Sequence, residues 1–299
     1  IQDDKTNIIS LCKQHSDTYA MIVRSEKITP EIMDLLPNLK VIVRAGSGYD
    51  NIDIKYARSK GIDVMNTPGA NANAVAEEVI AMMLADARHI IEADRTTREG
   101  KWEKKKYMGR EITGKTIGIV GLGNIGQLVA KRLSGFEMKK LGYDPMISEE
   151  KARALGVELV ELDELFEKSD YITLHVPENK DTVKMVNENL ISRMKNGATL
   201  INCARAGIID EDALRRLKKA KNLRFLNDVY PKDEEGMKSV VDIADIMLPH
   251  LGASTYEANA NAARRAAEQL IELDERGISS FIVNRELPVG LDEAYSHLT

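Results

Sequence analysis

The sequence holds only two cysteines in 299 residues, Cys12 and Cys203. Two are too few for a disulfide framework or a cysteine-based zinc site, so no metal centre is expected, and a reducing cytosol suits them. No run of 18 apolar residues occurs, so no bilayer-spanning helix and no membrane partner is expected. Basic residues are not in excess: 42 Lys and Arg stand against 47 Asp and Glu, a formal net charge of −5. That balance argues against nucleic-acid binding by phosphate neutralisation. Low-complexity tracts and solenoid repeats are also missing. What remains is 43% hydrophobic and 30% charged, the balance of a globular protein. The length suits about two domains of roughly 100–200 residues each.

The first third alternates strand and helix signals. Tyr19–Ser25 (YAMIVRS), Lys40–Gly46 (KVIVRAG) and Asp63–Thr67 (DVMNT) read as buried strands. Thr6–His15, Thr29–Pro37 and Asn51–Lys60 read as helices, the second with Pro near its start and the third stopped by Gly61. Near-continuous apolar strands separated by helices imply a parallel sheet. The rhythm also predicts a strand ahead of Ile1, the first residue here. Ala74–Glu99 reads as one long helix of about 35–40 Å. Its Met-rich apolar face implies a large apolar partner, in a homodimer or larger assembly, or else burial in the chain's own core.

A second series starts at Lys115. Its strand candidates are Thr116–Val120, Lys140–Asp144, Tyr171–Val176, Ala198–Ala204, Arg224–Val229 and Asp245–His250. Helical stretches between most of them imply a doubly wound α/β sheet. Ser254 and Glu257 form a capping-box start for a helix over Thr255–Arg276, and Ser280–Asn284 reads as a further strand.

Gly121-Leu122-Gly123-Asn124-Ile125-Gly126 is a GxGxxG between the first strand of this series and a helix. Its glycines suit a tight turn, a close approach to pyrophosphate, and tight helix packing. The helix start supplies free N–H groups to that anion. Asp144 lies 23 residues after Gly121, at the end of the next strand. An acid there accepts the ribose hydroxyls and repels a 2′-phosphate, which favours NAD over NADP.

Oxidising a secondary alcohol also needs a base and a cation. Arg205 follows the ATLINCA strand and offers a planar fork for a carboxylate. His250 ends the DIMLPH strand, after an acid-rich loop carrying Asp228, Asp233, Glu234 and Glu235. A neighbouring carboxylate would stabilise its protonated form. His175 lies inside a strand, where packing is its expected role.

The segments VIVRAGSGYDNID, NTPGANANAVAE, GKTIGIVGLGNIGQLVAKRL, LHVP, LINCARAGIIDEDAL, NDVYPKDEE and LPHLGAST resemble the D-isomer-specific 2-hydroxyacid dehydrogenases across essentially the whole chain. The resemblance implies a Rossmann domain inserted into a discontinuous flavodoxin-like substrate domain. The expected division is residues 1–93 with 281–299, and 94–280. It assigns Arg205 to substrate orientation and His250 to acid–base catalysis. Asn124 and Ile125 would meet the pyrophosphate, Val176 and Pro177 the adenine side, and Asp228 the nicotinamide carboxamide. Cys203 and Ala204 are further expected cofactor contacts.

The same resemblance puts Arg44, Ser47 and Gly48 on the loop that meets the substrate, with Asn71 facing it across the cleft. KWEKKKYMGRE and HLGAST are most similar to the branch acting on a phosphorylated hydroxy acid. There Trp102 would anchor a contact with a second subunit and Lys104 would hold a phosphate. One departure stands out. The family's catalytic glutamate, five residues after the aspartate at Asp228, is here Asp233. Either Asp233 or its neighbour Glu234 then pairs with His250. An unphosphorylated substrate, or a non-catalytic NAD-sensing role, stays open on these residues.

Overall fold

The computed structural model describes residues 7–287 and divides them into two units, residues 7–71 with 256–287, and Ala72–Thr255. Among these residues no helix is long and apolar enough to cross a membrane. The expected strand ahead of Ile1 lies outside the described residues.

The first unit carries β1 (Ala20–Val23), β2 (Val41–Arg44) and β3 (Asp63–Asn66). They run parallel in the order β1-β2-β3. Side chains on a strand alternate between faces, and β2 uses both. Ile42 packs with Ile32, Met33, Leu36 and Val64 of one core. Val41 and Val43 pack with Ala262 and Ala266 of the helix Tyr256–Arg276 in another. The small alanines let that helix lie close on the sheet. Gln269 Nε2 then donates to Asn66 O at 3.0 Å.

These contacts explain why the helix Tyr256–Arg276 groups with the first unit, so the second crossing falls at Thr255/Tyr256 rather than at residue 280. The expected strand Ser280–Asn284 is reduced to one antiparallel bridge between Met65 and Ile282. The fully buried Asn284 side chain takes over beyond it, accepting from Val64 N at 3.0 Å and donating to Ile62 O at 2.9 Å.

The second unit holds β4 (Thr116–Val120), β5 (Lys139–Tyr143), β6 (Val157–Leu159), β7 (Tyr171–Leu174), β8 (Thr199–Asn202), β9 (Arg224–Asn227) and β10 (Ile246–Met247). Their order is β10-β9-β8-β7-β4-β5-β6, with every neighbouring pair parallel. The order reverses between β4 and β7, the topological switch point of a doubly wound sheet. β6 was not among the strand candidates, because three residues carry too little pattern to read.

The expected helix Ala74–Glu99 is two helices, Ala72–Ala87 and Ile90–Arg98. His89 breaks it in a left-handed conformation, φ 52°. The break is imposed from outside the helix. Arg110 N–H takes the carbonyl of Ala87 at 2.9 Å. Gly109 makes that approach possible, since a Cβ there would lie 2.5 Å from the same oxygen. Nearby, buried Asp86 is held by Arg224 Nη2 at 2.6 Å and Arg110 Nη2 at 3.3 Å.

Of the two expected fates of the Met-rich face, a second subunit or the chain's own core, the packing shows the second. Val75, Val79, Met82 and Met83 are buried against Val129, Ala130 and Leu133 of the helix Asn124–Leu133. This packing also draws Ala72–Ala87 into the second unit, so the first crossing falls at Asn71/Ala72 rather than at residue 93.

Candidate active site

The glycine loop leaves β4 at its carboxyl end, beside the switch point. Gly121 has φ 90°, and a Cβ on it would lie 2.6 Å from His175 O. A Cβ on Gly126 would strike Gly121 O, so the helix packs directly on the turn. A Cβ on Gly123 would meet nothing within 4 Å. Its hydrogen leaves open space beside the start of the helix Asn124–Leu133. That helix has no side-chain cap and no acid in its first turn. Its first N–H groups and positive dipole end can therefore receive an anion.

Asp144 braces the loop from the end of β5. Its Oδ2 accepts from Leu122 N at 2.7 Å and its Oδ1 from Met146 N at 2.8 Å. Each oxygen keeps a lone pair for a ribose hydroxyl. Open space at Gly123 and spare acceptors on Asp144 fit a dinucleotide. Asn124 is exposed at the helix start, with Ile125 half-buried behind it. Val176 and Pro177 follow β7, and Val176 Cγ1 would lie 3.0 Å from a Cβ on Gly121. His175 faces inward, with Nε2 3.0 Å from Thr173 Oγ1. Burial pushes its pKa down to about 3, so it stays neutral.

β8, β9 and β10 are neighbours, and each carries a candidate catalytic group at its carboxyl end. After β8, buried Asn202 shapes the Arg205 loop. It accepts from Ala204 N at 3.0 Å and donates to Arg205 O at 2.9 Å. Arg205 Nη1 folds back on Ala204 O at 2.8 Å. Cys203 and Ala204 are buried, so their contribution to a ligand is limited to backbone. After β9, Asn227 Nδ2 donates to Val229 O at 2.7 Å.

After β10, His250 sits in the left-handed region at φ 57°, strained backbone for a residue with a side chain. Asp228 clamps the two residues that follow: Leu251 N donates to its Oδ1 at 2.7 Å and Gly252 N to its Oδ2 at 3.0 Å. The His250 side chain meets Asp233, with Nδ1 to Oδ2 at 2.6 Å. A carboxylate at Nδ1 favours the tautomer with its hydrogen there, which leaves Nε2 as an acceptor.

Glu234, the alternative acid, is turned elsewhere. Its Oε1 lies 3.9 Å from Lys232 Nζ, and Lys238 Nζ donates to its backbone carbonyl. Asp228, expected to face a carboxamide, is 1% exposed and spends both oxygens on its own chain.

In the first unit, Arg44 ends β2 and curls over Gly46, where a Cβ would collide with its guanidinium. Ser47 Oγ donates to Asn71 Oδ1 at 2.9 Å, and Asn66 Nδ2 donates to Ser47 O at 2.7 Å. Gly48 is half-buried next to them. Asn71 therefore lies beside the Ser47 loop, in the same unit, and not across a cleft from it. In the second unit Lys104 is exposed in a turn whose Lys106 pairs with Glu103 at 3.4 Å, and Trp102 is 86% exposed.

Three residues of this architecture were not singled out from sequence: Asn202, Asn227 and Glu78. Asn202 and Asn227 are cross-strand partners at the ends of β8 and β9. A polar residue closing an apolar strand was the available signal for both.

Residues 80–252 match the family profile described as D-isomer specific 2-hydroxyacid dehydrogenase, NAD binding domain. A D-3-phosphoglycerate dehydrogenase of Archaeoglobus fulgidus is 45% identical over 258 residues, 85% of this chain and 49% of that protein. A hydroxypyruvate reductase of Thermotoga maritima is 45% identical over 258 residues, 84% of this chain and 82% of that protein. The chain thus spans about half the length of several phosphoglycerate dehydrogenases it matches. Among solved structures, the NAD+-bound 3-phosphoglycerate dehydrogenase of Entamoeba histolytica superimposes with a TM-score of 0.77. It is 36% identical and covers 95% of this chain and 87% of that one.

Proposed function

The chain belongs to the D-isomer-specific 2-hydroxyacid dehydrogenases, and we propose that it oxidises 3-phospho-D-glycerate to 3-phosphohydroxypyruvate with NAD, the entry step of serine synthesis. The observation that carries the chemistry is the 2.6 Å contact between His250 and Asp233 at the carboxyl edge that also bears Arg205. The phosphoglycerate dehydrogenases of Archaeoglobus fulgidus and Entamoeba histolytica support the substrate.

Gly123 and the N–H groups opening the helix Asn124–Leu133 would hold the cofactor pyrophosphate, and Asp144 its ribose. Val176 and Pro177 would flank the adenine. When bound, NAD supplies the hydride acceptor. His250 Nε2 takes the hydroxyl proton, and Asp233 stabilises the imidazolium that results. Arg205 holds the substrate carboxylate by two parallel N–H bonds. Arg44, Ser47, Gly48 and Asn71 are further proposed substrate contacts. Lys104 adds the concentrated positive charge that a phosphate requires.

Exposed Ile90, Ile91, Trp102 and Met108 offer apolar surface for a second copy, which supports a homo-oligomer. A cytosolic setting suits the two free, buried cysteines.

A second reading, reduction of hydroxypyruvate, is favoured by the Thermotoga maritima relative, of which this chain covers 82%. NADH formation with 3-phosphoglycerate, D-glycerate and D-lactate side by side tests both. Preference for D-glycerate would replace the first reading by the second. Tight NADH binding without any turnover would leave a cofactor sensor.

A further inference from the structure

Behind the loop that carries His250 lies a second pair of acids. Glu78 reaches it from the helix Ala72–Ala87, and its Oε2 is a buried oxygen with no donor. A Cβ on Gly252 would lie 3.2 Å from Glu78 Oε2 and 3.4 Å from Asp228 Oδ2. The two carboxylates therefore converge on one point of backbone. Asp228 already receives the Leu251 and Gly252 N–H groups. Glu78 receives none of the backbone donors and stands beside a like charge.

Two ionised carboxylates so placed repel, and a buried acceptor without a donor is unfavourable. One proton between them relieves both.

The surrounding groups offer only one weak donor. Buried Cys203, from the end of β8, is a weak thiol donor beside Glu78, and its own pKa is pushed well up by burial and then by the two acids. The Leu251–Gly252 segment brings backbone only. The helix Asn124–Leu133, packed on the same helix, brings Arg132, which faces Glu77 at 4.0 Å instead. Among the described residues no group of three His, Cys, Asp or Glu is arranged to hold a metal ion. Burial, then the Asp228 charge, raise the Glu78 pKa to about 8.

We propose that Glu78 is a positioning residue whose carboxylic acid donates a hydrogen bond to Asp228 and so holds the clamp that keeps His250 in its left-handed conformation. The strain at His250 is the reason a clamp is needed. A left-handed non-glycine residue is strained and persists only where neighbours over-determine it. With Glu78 protonated, Asp228 carries the one negative charge and both loop N–H groups stay on it. With Glu78 ionised, repulsion separates the acids and the loop loosens. The effect on turnover rests on the reading of His250 as the base; the effect on the backbone does not.

The test compares the wild type with Glu78→Gln, which keeps an N–H donor but cannot ionise, and Glu78→Leu, which has no donor. Two readouts are taken from about pH 6.5 to about pH 9.5: amide hydrogen exchange of Leu251 and Gly252 without ligands, corrected for intrinsic rates, and kcat/KM with NAD and 3-phosphoglycerate. In the wild type, protection of both amides falls roughly tenfold across this range, and kcat/KM bends down with an apparent pKa of about 8. Glu78→Gln flattens the protection and removes that bend. Glu78→Leu shows low protection throughout.

Equal pH dependence in wild type and Glu78→Gln overturns the proposal, as does protection in the wild type that does not change with pH. Should Glu78→Leu fail to fold, the Gln comparison decides alone. Flattened protection in Glu78→Gln, in a protein that turns over no hydroxy acid, would uphold the clamp and sink the proposed function.

Discussion

Two aspartates five residues apart, Asp228 and Asp233, have opposite fates. Asp228 is 1% exposed and spends its charge on two backbone N–H groups. The Asp233 side chain is 56% exposed and spends its charge on one imidazole. The first is a fixture of the fold. The second is an exposed pair of the kind worth about 0–1 kcal/mol to stability. The difference is one of setting: the buried acid holds the backbone that follows His250, and the open acid meets the His250 ring. Residue type does not separate these tasks, because both are aspartates on one loop.

The comparison breaks most sharply at His250. Replacing it with Ala should lower kcat by roughly 10²–10⁴-fold, the range for a lost general base. NADH affinity, read by fluorescence titration, should change little. An equal loss of cofactor binding would mean that the ring holds the ligand and does not move a proton.

Next come the two acids themselves. Asp228→Ala should cost about 1–3 kcal/mol in urea unfolding, since it leaves two loop N–H groups without their acceptor. Asp233→Ala should cost less than about 0.5 kcal/mol yet lower kcat by roughly tenfold or more. Similar unfolding midpoints for both variants would erase the distinction drawn here.

A pH series tests the acid that stands beside Asp228. The folded Glu78 pKa of about 8 lies above its ordinary value of 4.5. Between these values the folded chain keeps a proton that the unfolded chain has released, so stability falls as pH rises and levels off above about 8. Glu78→Gln lacks this term. Its Tm should gain on the wild type across that window in scanning calorimetry, whereas parallel curves would show that Glu78 does not titrate there.

The smallest change is expected at the exposed edge. Lys104→Ala should raise KM for phosphorylated substrate by a few-fold, up to about tenfold, and leave an unphosphorylated analogue nearly unaffected. Equal shifts would remove the phosphate role.

Much of this site could be read along the chain. The GxGxxG turn, Asp144, Arg205 and His250 follow strands whose apolar runs mark them, so position at a strand end was legible locally. The β4 strand spans Thr116–Val120, the residues its pattern indicates. Other features depended on contacts far along the chain. The kink at His89 is set by Arg110 and Gly109, about twenty residues away. The choice between Asp233 and Glu234 turns on which side chain the loop aims at His250. Glu78 reads as one more polar residue on a helix until Asp228, 150 positions later, is set beside it.

The sequence by itself determined the alternation of strands and helices, the dinucleotide turn and the candidate catalytic residue types, because these follow from local periodicity and from what glycine, arginine and histidine can do. Only the tertiary structure decided where the units divide and which acid meets which partner. Burial and charge separation are properties of a packed neighbourhood, and residues far apart in the chain create it.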